Sequence, residues 1–158
     1  MERQDHELQP LPESLHRRLG AVLYWAAENA QAVADRALEP QGLTVKHFGV
    51  MTFLRDETGA KREGGPLSQQ AIGELLRIDR TTMVALIDDL EQAGYVKRER
   101  NPADRRAYVI TLTAAGKKAQ ARAEEAVDAH AIEFFGRLTE EERQELHRLL
   151  ERLIAPSA

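Results

Sequence analysis

A chain of 158 residues falls in the size range of one domain, and its lack of cysteine excludes disulfides, thiolate metal sites, cysteine nucleophiles and thiol redox sensors. With 42% hydrophobic and 30% charged residues it is ordinary for a water-soluble protein. No apolar stretch approaches the roughly 20 residues of a membrane span, and the acidic opening Met1-Glu2-Arg3-Gln4-Asp5 does not read as a secretory signal, so the cytoplasm is the expected compartment.

The net charge of −4 argues against a nucleic-acid partner only as an average. Between Pro66 and Lys118 nine Lys and Arg face seven Asp and Glu, whereas the rest of the chain carries 13 against 19. The positive charge is therefore concentrated in the middle, most densely at Lys97, Arg98, Arg100, Arg105 and Arg106. Charge alone does not separate a solvated face from a binding face, and the surrounding pattern has to decide.

In chain order, Leu15, Leu19, Val22, Ala26, Ala30, Val33 and Ala37 recur at three- and four-residue steps and predict a long first helix, ended by Pro40 and Gly42. Thr44 can N-cap a second helix carrying Phe48, Met51 and Leu54. The Gly- and charge-rich run Glu57 to Pro66 reads as a surface loop. Ser68 can cap a short helix, Gln69 to Leu76, with Ile72, Leu75 and Leu76 inward; Asp79 can cap a longer one, Arg80 to Ala93, buried through Met83, Leu86, Ile87 and Leu90. Gly94 stops that helix, and Arg80, Thr81, Val84, Ala85 and Asp88 lie outside its apolar stripe. Tyr95 to Arg100, a polar turn at residues 101–106, and the alternating Tyr108 to Thr113 predict a β-hairpin with a charged tip.

Two helices joined by a tight turn and flanked by a basic-tipped hairpin form an arrangement that can read DNA. The major groove accepts one α-helix, and Arg80, Thr81 and Thr82 stand where short polar side chains near a helix start reach base edges. Arg105 or Arg106 at the hairpin tip suits the narrow, strongly negative minor groove. Ser68, Gln69 and Gln70 can meet phosphate, with plain capping as the alternative role for Ser68.

C-terminal to the hairpin, Ala119, Ala123, Val127, Ala131, Phe134 and Leu138 trace a long helix. Thr139-Glu140-Glu141-Glu142 is a capping box that opens a last helix with Leu146, Leu149, Leu150 and Leu153. Phe135 and Ile154 widen these stripes. They exceed what one small winged core can cover, so a homodimer is expected, with a monomeric helical cap as the alternative. The expected fold is mostly α (α+β), a winged helix-turn-helix with long N- and C-terminal dimerisation helices. Residues 1–43 and 114–158 would form the dimerisation region and 44–113 the DNA-binding region, within one compact domain overall.

The run Leu90-Glu91-Gln92-Ala93-Gly94-Tyr95-Val96, then Arg98, Asn101-Pro102-Ala103-Asp104-Arg105-Arg106-Ala107 and Ile110-Thr111-Leu112-Thr113-Ala114-Ala115-Gly116, resembles the MarR family of bacterial regulators. The order of the remaining helices also follows that family. The resemblance implies a triangular dimer whose terminal helices interlock and whose two winged domains grip a pseudo-palindromic operator, usually as a repressor relieved by a small ligand. It also implies a wing signature in Asp104-x-Arg106, in which Asp88 or Asp104 would hold Arg106 and fix the hairpin against the recognition helix. A pocket for a small aromatic acid or phenol is implied where the first two helices meet the winged domain; Trp25, His47, Phe48 and Met51 are its candidate walls, with core packing as the alternative for each.

Val84 and Ala85 depart from the resemblance, because the family often has a hydroxyl residue followed by arginine there. They either pack inward or touch thymine methyl groups. His6, His16, His47, His130 and His147 never fall at the spacing that puts two ligands on one helical face, so neither a metal sensor nor a metal enzyme is expected. Gly64-Gly65-Pro66 lacks the lysine and flanking elements of a phosphate loop, and the acids Asp88, Asp89 and Glu91 read as surface charges or as partners for arginines of the hairpin. No enzyme and no cofactor are expected; a winged-helix module that binds proteins and no DNA is the alternative function.

Overall fold

The computed structural model describes residues 10–59, 68–100 and 108–155. Among the described residues six α-helices and one hairpin follow in the order α1 (Leu19–Leu38), α2 (Val45–Gly59), α3 (Gln69–Leu75), α4 (Arg80–Gln92), β1 (Val96–Arg100), β2 (Tyr108–Leu112), α5 (Ala114–Phe135) and α6 (Glu140–Ile154). The chain divides into two compact units, residues 1–34 with 127–158, and residues 35–126; the boundaries fall inside α1 and α5 rather than at helix ends.

The unit of residues 35–126 has the larger core. Val50, Met51, Ile72, Met83, Ile87, Leu90 and Ala119 are each almost completely enclosed, drawn from α2, α3, α4 and α5. β1 and β2 pair antiparallel with Val96 opposite Leu112 and Arg100 opposite Tyr108. Val109, Ile110 and Leu112 are buried, so the base of the hairpin near Val96 and Leu112 is a wall of the core, while Arg100 and Tyr108 at the far ends of the two strands are exposed. A bridge from Ser68 to Val109 ties the start of α3 to β2.

Local chemistry sets the element ends. The α4 C-terminus closes with Tyr95 N–H donating to the Leu90 carbonyl (2.8 Å) and Gly94 N–H to Glu91 (2.9 Å), a closure that requires the left-handed backbone Gly94 adopts at φ 73°. The same closure after α3 uses Arg77 at φ 54°, with Ile78 N–H donating to Gly73 (2.8 Å), so the helix-turn-helix corner is made without glycine at its left-handed residue. Thr113 then fastens the hairpin to α5: its N–H donates to the Tyr95 carbonyl at 3.0 Å, its hydroxyl donates to Gly94 at 2.7 Å, and the same oxygen accepts from Gly116 N–H at 3.0 Å. Gly116 sits so close that a Cβ there would stand 1.9 Å from the Tyr95 carbonyl oxygen.

Three sequence expectations need correcting. Leu15, read as part of the first helix, lies in a separate 3-10 turn (Glu13–Leu15), and α1 begins only at Leu19. Leu75 is 53% exposed, because the inward face of α3 is centred on Ile72 and Gly73 and reaches Leu76, which rotates the third residue after Ile72 outward. The helical part of the expected Glu57-to-Pro66 loop is also longer than read: α2 continues through Gly59, three residues past the predicted break, and residues 60–67 lie outside the described ones.

In the unit of residues 1–34 and 127–158, Thr139 and Glu142 form the predicted capping box. Glu142 N–H donates to the Thr139 hydroxyl at 3.2 Å, and Thr139 N–H to the Glu142 carboxylate at 2.8 Å. Arg143 donates to the Leu138 carbonyl at 3.0 Å and pairs with Glu140, closing the α5–α6 corner. Leu19 (80%), Ile132 (73%), Leu153 (69%) and Ile154 (80%) remain exposed in the single chain.

Candidate nucleic-acid interface

The N-terminus of α4 is built by Asp79. Its carboxylate accepts from Thr82 N–H at 3.0 Å and from the Thr82 hydroxyl at 2.6 Å, and these bonds hold the carboxyl below the usual carboxylate range. The cap leaves Arg80, Thr81, Val84 and Ala85 exposed along one face of α4. Val84 and Ala85 therefore do not take the inward-packing alternative. Thr82 differs from its neighbours: it is half-buried and its hydroxyl proton is committed to Asp79.

Ser68 caps α3, accepting from Ala71 N–H at 3.2 Å, and Gln70 donates to Glu74 at 3.0 Å. Between α3, α4 and β2 opens a cleft of about 700 Å³ bordered by Ser68, Gln69, Gln70, Arg80, Val84 and Tyr108. Gly73, Glu74, Ile78, Asp79 and Met83 complete its lining, so five of its eleven residues are ones the sequence singled out for nucleic-acid contact, and Tyr108 is not among them.

The hairpin is clamped to α4 by Arg98. Its guanidinium donates to Asp88 and to Glu91, each at 2.5 Å, and its backbone N–H donates to Glu91 at 3.2 Å. Among the described residues the partner of Asp88 is thus Arg98. Arg106, expected in that place, lies outside the described residues, as do Arg105 and Asp104. Arg98 is present in the sequence motif, but its pairing with an acid ten residues earlier becomes apparent only when β1 lies along α4.

The candidate ligand residues fall in different surroundings. Trp25 is half-buried in the unit of residues 1–34 and 127–158, edge-on to Tyr24 at 6.4 Å. His47, Phe48 and Met51 lie in the other unit, where Met51 is fully enclosed and Phe48 half-buried. His47 is the third residue of α2 and takes the part a Glu or Gln plays in a capping box: Nδ1 accepts from Thr44 N–H at 3.2 Å and contacts the Thr44 hydroxyl at 2.9 Å. Its Nε2 is buried 3.5 Å from an Asp89 oxygen, beyond a well-formed hydrogen bond. Burial pushes the imidazole below its ordinary range, opposed by the charges of Asp89 and Asp35. Among the described residues no His, Asp and Glu cluster could hold a metal ion, and no helix is long and apolar enough to cross a membrane.

Residues 41–107 match the model of the MarR family. A Thauera aromatica protein named as a candidate transcriptional regulator for the hcr operon is 30% identical over 148 residues, covering 90% of this chain and 85% of that one. The transcriptional repressor CouR, solved on a 23-mer DNA duplex, is 28% identical with a TM-score of 0.79, over 93% of this chain and 100% of that one. CouR from Rhodococcus jostii RHA1 bound to p-coumaroyl-CoA superposes with a TM-score of 0.73 at 23% identity, covering 93% and 99%. The chain belongs to the MarR family and is a winged helix-turn-helix transcriptional regulator. Nothing in that family relationship points to catalysis.

Proposed function

We propose that the chain is a cytoplasmic, non-catalytic repressor that works as a homodimer on a pseudo-palindromic site in double-stranded DNA. In this reading residues 44–113 bind DNA and residues 1–43 and 114–158 bring two copies together. α4 enters the major groove with Arg80, Thr81, Val84 and Ala85 toward the bases, and Ser68, Gln69 and Gln70 flank the phosphates. Arg105 and Arg106 of the hairpin tip go to the minor groove beside it. The observation that carries the reading is the exposed face of α4 opening onto a cleft, with the hairpin clamped to the same helix through Arg98. The CouR–DNA complex supports the same use of the fold. A protein-interaction module without DNA binding is not favoured, since it gives no reason for a clamped hairpin with arginines at its tip.

A gel shift against DNA from upstream of the chain's own coding sequence tests this. Wild type should shift a discrete fragment; Arg105→Ala should weaken all fragments alike and lower the salt slope by roughly one, whereas Thr81→Ala should change preference among bases by about 1–3 kcal/mol. Absence of any fragment-selective shift would remove the reading. A small aromatic acid or phenol is the proposed releasing ligand, supported by the aromatic acyl ligand of CouR. In wild type, titration of salicylate or p-coumarate should saturate Trp25 fluorescence and DNA release together; DNA release is the readout in the variants, and release unchanged in Trp25→Phe or in His47→Ala would remove that residue from the ligand site.

A further inference from the structure

We infer that Tyr108 is a DNA-contacting residue, whose phenol hydroxyl donates to a backbone phosphate of the strand lying across the cleft between α3 and the hairpin. This rests on the DNA-binding reading and adds to it a residue outside the recognition helix and outside the hairpin tip.

Three observations point there. Tyr108 shares its strand face with Ile110 and Leu112, which are 4% and 7% exposed, yet it is itself 44% exposed because the core ends before reaching it. The row of core side chains therefore continues out of the core and becomes the wall of the cleft that Ser68, Gln69, Arg80 and Val84 also border. Next, the ring is held. Arg100 is its cross-strand partner in register, and the Arg100 guanidinium carbon lies 5.8 Å from the ring centroid, within cation–π range. A ring fixed in this way loses little further freedom on binding. Last, among the described residues no hydrogen bond engages the Tyr108 hydroxyl.

The neighbours choose phosphate over base. Ser68 bridges Val109, so Tyr108 stands one residue from the start of α3, at the rim of the cleft and not on the face of α4 aimed at the groove floor. Protein hydroxyls are regular phosphate donors, and of the two carboxylates that also line the cleft, Glu74 accepts from Gln70 and Asp79 from Thr82, while Arg80 lines the same cleft. Contact of this kind carries no sequence information; it sets how deeply the duplex seats.

The test uses the full-length protein and a 30-base-pair duplex enriched from a random pool by wild type, alongside a scrambled duplex of the same composition. Tyr108→Phe keeps the ring and should keep the melting temperature, while weakening binding to both duplexes by about three- to tenfold, the worth of one hydrogen bond. Because no charge is removed, the slope of log affinity against log salt should not change. Tyr108→Ala should lose more. A photoreactive p-benzoylphenylalanine at position 108 should crosslink to the duplex, a readout that a purely structural role would not give. If Tyr108→Phe binds both duplexes within about twofold of wild type, the hydroxyl–phosphate contact is wrong, whatever Tyr108→Ala does. A loss confined to the enriched duplex would make Tyr108 a base reader and overturn the phosphate contact. Failure of wild type to enrich any duplex would overturn the DNA-binding reading together with this one.

Discussion

Two glycines of similar appearance in the sequence have opposite physical roles. Gly49, inside α2, has nothing within 4 Å of the position a Cβ would take, so Gly49→Ala should stabilise the fold by about 0.5–1 kcal/mol through helix propensity alone. Gly116 sits in the first turn of α5 against the Tyr95 carbonyl, and an added Cβ at 1.9 Å from a backbone oxygen forces the hairpin and helix apart. The steric cost, about 1–3 kcal/mol, outweighs the propensity gain, so Gly116→Ala should lower the urea midpoint. Equal midpoints for the two variants would contradict the packing at Tyr95. His47 makes a residue-scale prediction in pH. Its folded-state pKa is lowered by burial, so the neutral ring is the form that stabilises the fold: the contribution is complete above the unfolded value of 6.5 and is lost as pH falls through the folded value. Protonation at Nδ1 would also remove the acceptor for Thr44 N–H. Gln in this position keeps a capping-box acceptor and does not titrate. Wild type should therefore lose stability relative to His47→Gln as pH drops below about 6.5, measured by urea denaturation at a series of pH values, and parallel profiles would exclude the role.

At the scale of elements, the clamp between α4 and β1 has positional value rather than energetic weight. Asp88 and Glu91 are 58% and 40% exposed at their side chains, so each bond to Arg98 contributes only about 0–1 kcal/mol. Asp88→Asn should leave the melting temperature nearly unchanged. Its effect on DNA has two opposing parts, since losing a negative charge favours phosphate while loosening the hairpin disfavours seating. At high salt the first is screened and the second should prevail, weakening binding up to about fivefold; tighter binding at every salt concentration would show that the clamp does not position the wing. These elements were largely legible in the sequence. Apolar spacing, the caps Ser68, Asp79 and Thr139, and the stop at Gly94 all follow from rules confined to a few neighbouring residues. Contacts that depend on tertiary placement were less legible: that acids of α4 could pair with hairpin arginines was readable, but not that Arg98 is the arginine, nor the Ser68–Val109 bridge, nor the exposure of Tyr108 at the end of a buried row. The cap at His47 was open to reading as Thr-x-x-His in place of Thr-x-x-Glu, but histidine more readily suggested a binding group. Leu75 was misplaced because a seven-residue helix gives too few turns to fix the centre of its inward face.

For the whole molecule, the decisive quantity is apolar surface that one copy leaves in water. Within the unit of residues 1–34 and 127–158, Leu19, Val22, Leu23 and Tyr24 on α1, Ile132 on α5, and Leu149, Leu153 and Ile154 on α6 are all exposed. The α6 sequence is amphipathic, with its leucines on one face and Glu140, Glu141, Glu145 and Arg148 among its polar residues, so the exposed leucines form a stripe rather than scattered singles. At roughly 25 cal/mol per Å² of apolar area, covering such stripes on two copies supplies tens of kilocalories before the entropy of association and side-chain ordering is subtracted. That is enough for a dimer stable at micromolar concentration when the helices fit. The capping box at Thr139 makes α6 begin sharply after the Arg137 corner, so ending the chain after Arg137 removes the whole stripe without cutting into α5. The prediction is that wild type runs as a dimer in light scattering at micromolar concentration. The chain ending at Arg137 should run as a monomer or a weak, concentration-dependent dimer, and Leu153→Glu in the full-length chain should shift the equilibrium the same way while circular dichroism stays helical. Loss of the dimer should cost operator affinity steeply, because two recognition helices joined about 34 Å apart bind successive major grooves as one ligand. A full-length chain that scatters as a 17.8 kDa monomer at these concentrations would rule this assembly out.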